Sequence, residues 1–384
     1  MKISDVKEVF RKQYHSDPNI YIAPGRINLI GEHTDYNDGF VLPAAIDKHV
    51  IYGLKENGLN KYRFHAIDLD QSFEAEAGKL IHSDMGWPDY LMGVIDQLNK
   101  AGHHIPGFDA VVTSDIPIGA GLSSSAALEA GLATGLNEMY NLNISKLDLV
   151  KLSQKAENEF VGVNCGIMDQ FASVFGKSGH VFRLDCRSLD FEYFPLKLNG
   201  NGIILVDTKV KHSLGTSEYN TRRQECELGI YLLAEGNAQV KSLRDVSRRM
   251  LESARNRIDP VVYKRCDYVV GEIDRVQKAC DDLVAGRIED FGRKMYKTHE
   301  GLSKDYEVSC EELDFLVDFT KNDPDILGSR MMGGGFGGCT INIIKETAIP
   351  SFKENVSEAF NARFGHPPLF YDVKIDDGVL RFRD

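Results

Sequence analysis

The ten residues Pro117-Ile118-Gly119-Ala120-Gly121-Leu122-Ser123-Ser124-Ser125-Ala126 constrain the fold more than any other stretch of the chain. Ahead of them, Phe108, Ala110 and Val112 alternate with other positions at the period of a strand, which Thr113-Ser114-Asp115 closes. Behind them, Leu128, Leu132 and Leu136 recur at helical spacing, and Met139 and Tyr140 continue the face. A strand, a glycine turn and three hydroxyls at a helix start make an anion site. The first N–H groups of a helix lack intrahelical partners, and its dipole is positive at that end. Glycine lets the backbone close round an anion with no Cβ in the way. For a lone Gly-x-Gly the plainer reading is a serine-capped turn; the serine triplet, with partners elsewhere in the chain, reverses that preference.

A chain of 384 residues exceeds one ordinary core, so two domains are expected. A share of 42% hydrophobic against 27% charged residues is that of a globular protein. The net charge of −12 argues against nucleic-acid or acidic-membrane binding. An anionic substrate must therefore be held locally, by Arg, Lys, backbone N–H or metal. The first ten residues have no apolar stretch of a signal peptide, and no run approaches the roughly eighteen apolar residues of a membrane span. Seven scattered cysteines with no Cys-x-x-Cys read as free thiols of a reducing cytoplasm rather than a disulfide frame or zinc site. The expected location is cytoplasmic.

In chain order, the pattern predicts an entry helix over 4–16 and a strand from Ile20. The following stretch is dense in polar residues, yet Ile27, Leu29 and Ile30 are threaded through it, which a solvated loop would not need. Residues 41–46 and 50–52 read as strands of the same sheet, and a helix is expected near 90–99. Ser145 and Asp148 have the spacing of a capping box ahead of a helix with Leu149, Leu152, Ala156 and Phe160 on one face. Strands are expected at 181–184 and 202–207, with a domain boundary near 197, giving domains 1–197 and 198–384. The second half reads as helical to about 320. A glycine-rich run then enters a strand at 339–344, followed by a helix (352–364) and a strand (369–375).

Three common phosphate chemistries do not fit. A Walker loop needs Lys after its last glycine, where Leu122 and serines stand. Asp290-Phe291-Gly292 spells the protein-kinase magnesium tripeptide, but no His-Arg-Asp precedes it and it falls in a helical pattern. Ser124 occupies the place of the third glycine in a dinucleotide fingerprint.

The stretches 23–44, 117–127 and 332–339 resemble, in order and spelling, the three motifs of the GHMP small-molecule kinases. Gly25-Arg26-Ile27-Asn28-Leu29-Ile30-Gly31-Glu32-His33-Thr34-Asp35-Tyr36 resembles the galactokinase signature, and Cys165-Gly166-Ile167-Met168-Asp169-Gln170-Phe171 is similar to that family's catalytic segment. The resemblance implies an α+β, two-domain GHMP kinase fold, with mixed sheets, helices packed on them and the active site between the domains. It implies ATP-dependent phosphorylation of D-galactose at the anomeric hydroxyl to α-D-galactose 1-phosphate, the first committed step of galactose catabolism by the Leloir pathway. ATP is the co-substrate, Mg²⁺ the cofactor, and the chain is expected to act as a monomer.

The roles it implies fall on matching residues. Asp169 is the base at the anomeric hydroxyl, and Arg26 the transition-state arginine, facing both Asp169 and the migrating phosphoryl oxygens. Glu32, His33, Thr34, Asp35, Gly166 and Tyr219 are assigned to the sugar, with a helix-start aromatic as the alternative for Tyr219. Gly119, Ala120, Gly121, Leu122, Ser123, Ser124 and Ser125 should hold the ATP phosphates. Ser125 and Glu157 are the metal pair, with Glu159 as the competing carboxylate. The Gly333–Gly338 run is expected beside the phosphate loop, and Trp87 is one candidate for stacking on adenine. Two rivals are the same reaction on N-acetylgalactosamine and a galactose/ATP sensor without turnover. A sensor should have a damaged loop or base, whereas Ser123 to Ala126 and Asp169 are intact.

Overall fold

A computed structural model describes residues 2–117, 119–210, 215–235 and 237–383; Ile118 of the glycine turn lies outside them. The first half runs α1 (Ile3–Tyr14), β1 (Asn19–Asn28), β2 (Phe40–Val41), β3 (Pro43–Glu56), β4 (Lys61–Ala66), β5 (Gln71–Glu76), α2 (Trp87–Lys100), β6 (Phe108–Ser114), α3 (Ser124–Met139), α4 (Lys146–Lys155), α5 (Met168–Phe175), β7 (His180–Asp185) and β8 (Phe191–Pro195). The second runs β9 (Asn201–Asp207), α6 (Gly215–Ala234), α7 (Arg248–Ala254), α8 (Pro260–Val284), α9 (Ile288–Lys304), α10 (Glu311–Thr320), β10 (Ile326–Met331), β11 (Cys339–Lys345), α11 (Ile349–Phe364), β12 (Leu369–Val373) and β13 (Leu380–Phe382). The architecture is α+β, with mixed sheets and helices packed on them.

The largest sheet has the order β13-β1-β3-β6-β4-β5, antiparallel except where β4 lies parallel to β6. Most of β1 is buried, which explains its lack of clean alternation. One face is covered by Val6 and Phe10 of α1, which pack with Ile20 and Val111. The other receives α3, whose Gly131 and Gly135 permit a close approach. A Cβ would come within 2.8 Å of Tyr52 at the first and 2.3 Å of Leu54 at the second. The helix that follows the glycine turn is thereby pressed onto β1 and β3.

The chain departs from expectation at Leu42. Residues 41–46 are not one strand: β2 pairs with β7 in a three-stranded sheet, β2-β7-β8, and β3 starts afresh at Pro43 beside β1. The strands β8 and β13 are short and partly exposed, and escape sequence reading. The last of these returns to the first sheet, pairing Ile20 with Phe382.

The second sheet, β10-β11-β9-β12, is backed by α10 and α11, where Leu316, Phe352, Val356 and Phe360 meet Ile204, Val206 and Ile344. Asp290-Phe291-Gly292 lies inside α9, with Gly292 packed against the backbone of Leu327, a structural position. The long helix α8 presses on the segment after β1: a Cβ on Gly31 or Gly39 would stand 2.9 Å from Val276 or Ile273. The segment from Gly31 to Gly39 is therefore held between the two halves of the chain. No described helix is long and apolar enough to cross a membrane.

Candidate active site

The site begins with an irregularity in β1. Its pairing with β3 shifts register between Pro24 and Arg26, where a bulge re-aims the next side chain. Gly25 sits where a Cβ would lie 2.8 Å from the Leu122 carbonyl, and the Arg26 N–H donates to that same oxygen at 3.1 Å. The first and second motif stretches, 23–44 and 117–127, thus share a backbone hydrogen bond. The Arg26 guanidinium forks onto Asp169, with Nε to Oδ1 at 2.8 Å and Nη2 to Oδ2 at 2.9 Å, while Nη1 donates to the Gly121 carbonyl.

Asp169 stands in the first turn of α5. Its third donor is Ser123, which has a left-handed backbone (φ 58°) just before α3 and sends its hydroxyl to Asp169 instead of capping its own helix. Three donors occupy three of the roughly four acceptor positions of a carboxylate. The remaining one is available to a hydroxyl from the adjoining cavity.

That cavity encloses about 310 Å³ and brings together Arg26, Asp169, Glu32, His33, Asp35, Glu157, Gly166 and Tyr219. Its far wall is the backbone of Gly333 to Gly335 with Phe336. Gly166 has a steric reason: a Cβ there would fall 1.7 Å from Asp35 Oδ2. Burial, reinforced by the charge of Asp169, pushes the Asp35 carboxyl up to about 7. Burial also lowers His33 to about 4, so its imidazole is neutral at physiological pH. Tyr219, on α6, packs against the His33 ring at 5.4 Å between centroids.

Glu32 and Thr34 are placed differently from their neighbours. Glu32 bridges to the third motif: Oε1 accepts from Arg330 Nη2 at 3.1 Å and from the Gly333 N–H at 2.8 Å, and Oε2 accepts from Asn28 Nδ2 at 3.0 Å. Thr34 does not line the cavity. Its buried hydroxyl lies 2.9 Å from the Gly31 carbonyl and 2.7 Å from that of Phe40, which holds the turn rather than a ligand.

Of the two competing carboxylates, Glu157 reaches the cavity and Glu159 points outward to Gln97 and Lys100. Both lie on a π-helical turn, Ala156–Val161, a backbone irregularity of the kind found at functional sites. Glu157 is 6% exposed, bonds to Ser125 and to Gln170 Nε2 (2.7 Å), and forms no ion pair with a basic side chain among the described residues. Burial and the charge of Asp169 push its carboxyl upward. A buried, cation-free carboxylate beside a hydroxyl suits a hard divalent cation that takes its other ligands from phosphate and water.

The loop Gly119 to Ser125 borders this cavity rather than lining it, joined to it through Gly121, Ser123 and Ser125. The glycine-rich run packs on it: a Cβ at Gly333 would lie 3.8 Å from Gly121, and one at Gly338 3.9 Å from Ala120. Trp87 is half-buried at the start of α2, bonded to Gln71, and does not line the cavity.

Comparison with known proteins bears on this geometry. Residues 8–55 match the family model described as the galactokinase galactose-binding signature, 89–177 the GHMP kinases N-terminal domain, and 276–362 the GHMP kinases C-terminal domain. The galactokinase of Thermotoga maritima is 45% identical over 359 residues, covering 94% of this chain and 99% of that protein. The chain belongs to the galactokinase family. A Roseiflexus galactokinase is 38% identical across 99% of this chain and 97% of its own length. The crystal structure of Lactococcus lactis galactokinase complexed with galactose superposes with a TM-score of 0.95 at 33% identity, covering 99% of this chain and all of that one. Mevalonate kinase from Methanococcus jannaschii, at 19% identity and a TM-score of 0.65, shares the fold.

Around this galactokinase-family site stand residues that motif reading did not single out. Arg330 is fully buried and donates to the carbonyls of Asn28, Leu29 and Met331 as well as to Glu32. The signal for it is a lone charge in an otherwise uncharged strand. Gln170 ties Glu157 to the buried Glu129. Tyr306 reaches Tyr36 from the end of α9, with no local sequence signal.

Proposed function

We propose that this chain transfers the γ-phosphoryl group of ATP to the anomeric hydroxyl of D-galactose, giving α-D-galactose 1-phosphate and ADP. The observation that carries the reading is the Arg26–Asp169 fork, set between the serine loop and a cavity lined by Asp35, His33, Gly166 and Tyr219. In this reading the sugar oxygen forms a bond to the γ-phosphorus as the bond from that phosphorus to the β,γ-bridging oxygen breaks. Asp169 receives the hydroxyl proton through its remaining acceptor position. Arg26 keeps Asp169 in register and meets the negative charge of the phosphoryl group, so positioning and charge complementarity supply most of the rate. Asp35, His33, Gly166 and Tyr219 form the sugar pocket, with Glu32 fixing the wall opposite them.

The phosphates rest on Gly119 to Ser125, at the N-terminus of α3. Ser125 and Glu157 would hold Mg²⁺, which when bound neutralises part of the phosphate charge. The two domains, 1–197 and 198–384, meet at the site, with β13 of the second returning to the sheet of the first. The seven cysteines are all free, which supports a reducing, cytoplasmic setting.

The test is purified protein with Mg-ATP and a panel of hexoses, following ADP release. Galactose-dependent turnover is expected. Its absence refutes the activity, and faster turnover on N-acetylgalactosamine reassigns the substrate.

A further inference from the structure

His33 is held in an unusual way for a residue with a polar task. Its backbone is left-handed (φ 61°), a conformation that costs a non-glycine residue and persists only when its surroundings enforce it. The enforcement is visible: Asn37 Nδ2 donates to the His33 carbonyl at 3.0 Å, and Tyr268 donates to the Glu32 carbonyl just before it at 3.0 Å. The ring lies 4.9 Å from the centroid of Tyr306 and 5.4 Å from that of Tyr219.

The two ring nitrogens differ completely. Nδ1 meets the Tyr36 hydroxyl at 2.7 Å, which meets the Tyr306 hydroxyl at 2.8 Å, which meets Cys226 Sγ at 3.2 Å. Tyr306 and Cys226 are no more than 1% exposed, so water does not complete this chain at its far end, where the Asn37 side chain also bonds the Cys226 sulfur. His33 lines the cavity, and its Nε2 is buried and makes no well-formed hydrogen bond, with only the Gly334 backbone acting on the ring's proton from that wall. A buried, unpaired ring nitrogen is costly unless a ligand completes it.

A neutral imidazole carries one proton, and the chain of hydroxyls decides where. Sulfur is a weak acceptor and imidazole nitrogen a good one. The favoured ordering runs Cys226 S–H to Tyr306, Tyr306 O–H to Tyr36, and Tyr36 O–H to Nδ1, which leaves the ring proton on Nε2. The reverse ordering ends on sulfur and leaves Nε2 bare.

We infer that Tyr36 and Tyr306, terminated by Cys226, are positioning residues that lock His33 as an Nε2–H donor to a sugar hydroxyl, so that this wall of the pocket selects for an acceptor. The inference rests on the reading of the cavity as a sugar site. The neutral ring agrees with it.

The decisive measurement is ¹⁵N–¹H NMR of His33 in the sugar-free protein at pH 7.5, assigned by the signal lost in His33→Gln. A protonated Nε2 with a bare, hydrogen-bonded Nδ1 is expected; a proton on Nδ1 overturns the relay. This readout is independent of turnover, so failure of the relay is distinguishable from failure of the kinase reading, which shows as no galactose-dependent ADP release by the parent protein. In kinetics, Tyr306→Phe should raise the galactose KM about tenfold, the size of one weakened hydrogen bond, with ATP KM and kcat kept. Cys226→Ala, which leaves the Tyr306 hydroxyl no acceptor but Tyr36 and so keeps the ordering, should keep the parental KM. An unchanged galactose KM in a folded Tyr306→Phe protein, or equal losses in both substrates, also overturns the proposal.

Discussion

Arg26 and Asp169, 143 residues apart in the chain, meet through two parallel hydrogen bonds of 2.8 and 2.9 Å. A fork of this kind fixes a carboxylate in plane and in register, which a single lysine contact does not. The side chains are 7% and 25% exposed, so Asp169 faces the cavity while its partner stays enclosed.

Asp169→Asn keeps the shape of the side chain but replaces one accepting oxygen with a donor, breaking the fork. We expect kcat to fall by about 10²–10⁴-fold, the range for loss of a general base, with galactose affinity kept within a few-fold. Steady-state kinetics with calorimetric galactose binding measures both. An Asn variant with near-parental kcat would remove Asp169 from the chemistry.

Gly166→Ala is expected to act through Asp35. The new methyl would need the space of an oxygen 1.7 Å away, so the Asp35 carboxylate must leave its place on the sugar wall. The galactose KM should rise at least tenfold while the ATP KM stays within about twofold. A matched rise in both would point to a general distortion instead.

What was readable in the sequence follows the range of the interactions concerned. The strand, glycine turn and helix around Ser123 are set by local periodicity and read correctly. Arg26, Asp35 and Asp169 were legible as motif letters with their roles, whereas Gly166 was a letter without a physical reason. The bulge at Gly25, the collision of Gly166 with Asp35 and the fork itself arise only when distant segments meet. Thr34 was grouped with the sugar ligands because it stands between two of them, yet its hydroxyl faces the backbone. Tyr306 left no local trace, since one tyrosine at a helix end looks like any other. The strands β8 and β13 were missed because they are short and partly exposed, and their hydrogen-bonding partners lie outside the local pattern.

Arg330 is expected to be worth more to stability than its neighbours. Its guanidinium is fully buried and serves Glu32 and three carbonyls, all on or beside the site. Arg330→Met fills much of the same volume but strands a buried carboxylate, at a cost of about 3–5 kcal/mol. Denaturant unfolding of the two proteins measures it. A loss below about 1 kcal/mol would mean that Glu32 finds water or another donor.

Asp35 gives the fold a pH signature of definite sign. Its ordinary value is 3.8 and its value in the folded chain is about 7, raised by burial and by Asp169. Between those values the folded protein holds a proton that the unfolded chain has released. The number of protons bound in the unfolded state is then the smaller, and this group's contribution makes stability fall as pH rises through that window. Above about 7 both states are ionised and the destabilisation is complete. Asp35→Asn removes the charge that burial opposes. The stability of the Asn variant relative to the parent should therefore grow from pH 5 to about pH 7.5 and level off beyond. Thermal unfolding of ligand-free protein at half-unit intervals tests this, and parallel curves for the two proteins would show that Asp35 does not titrate there.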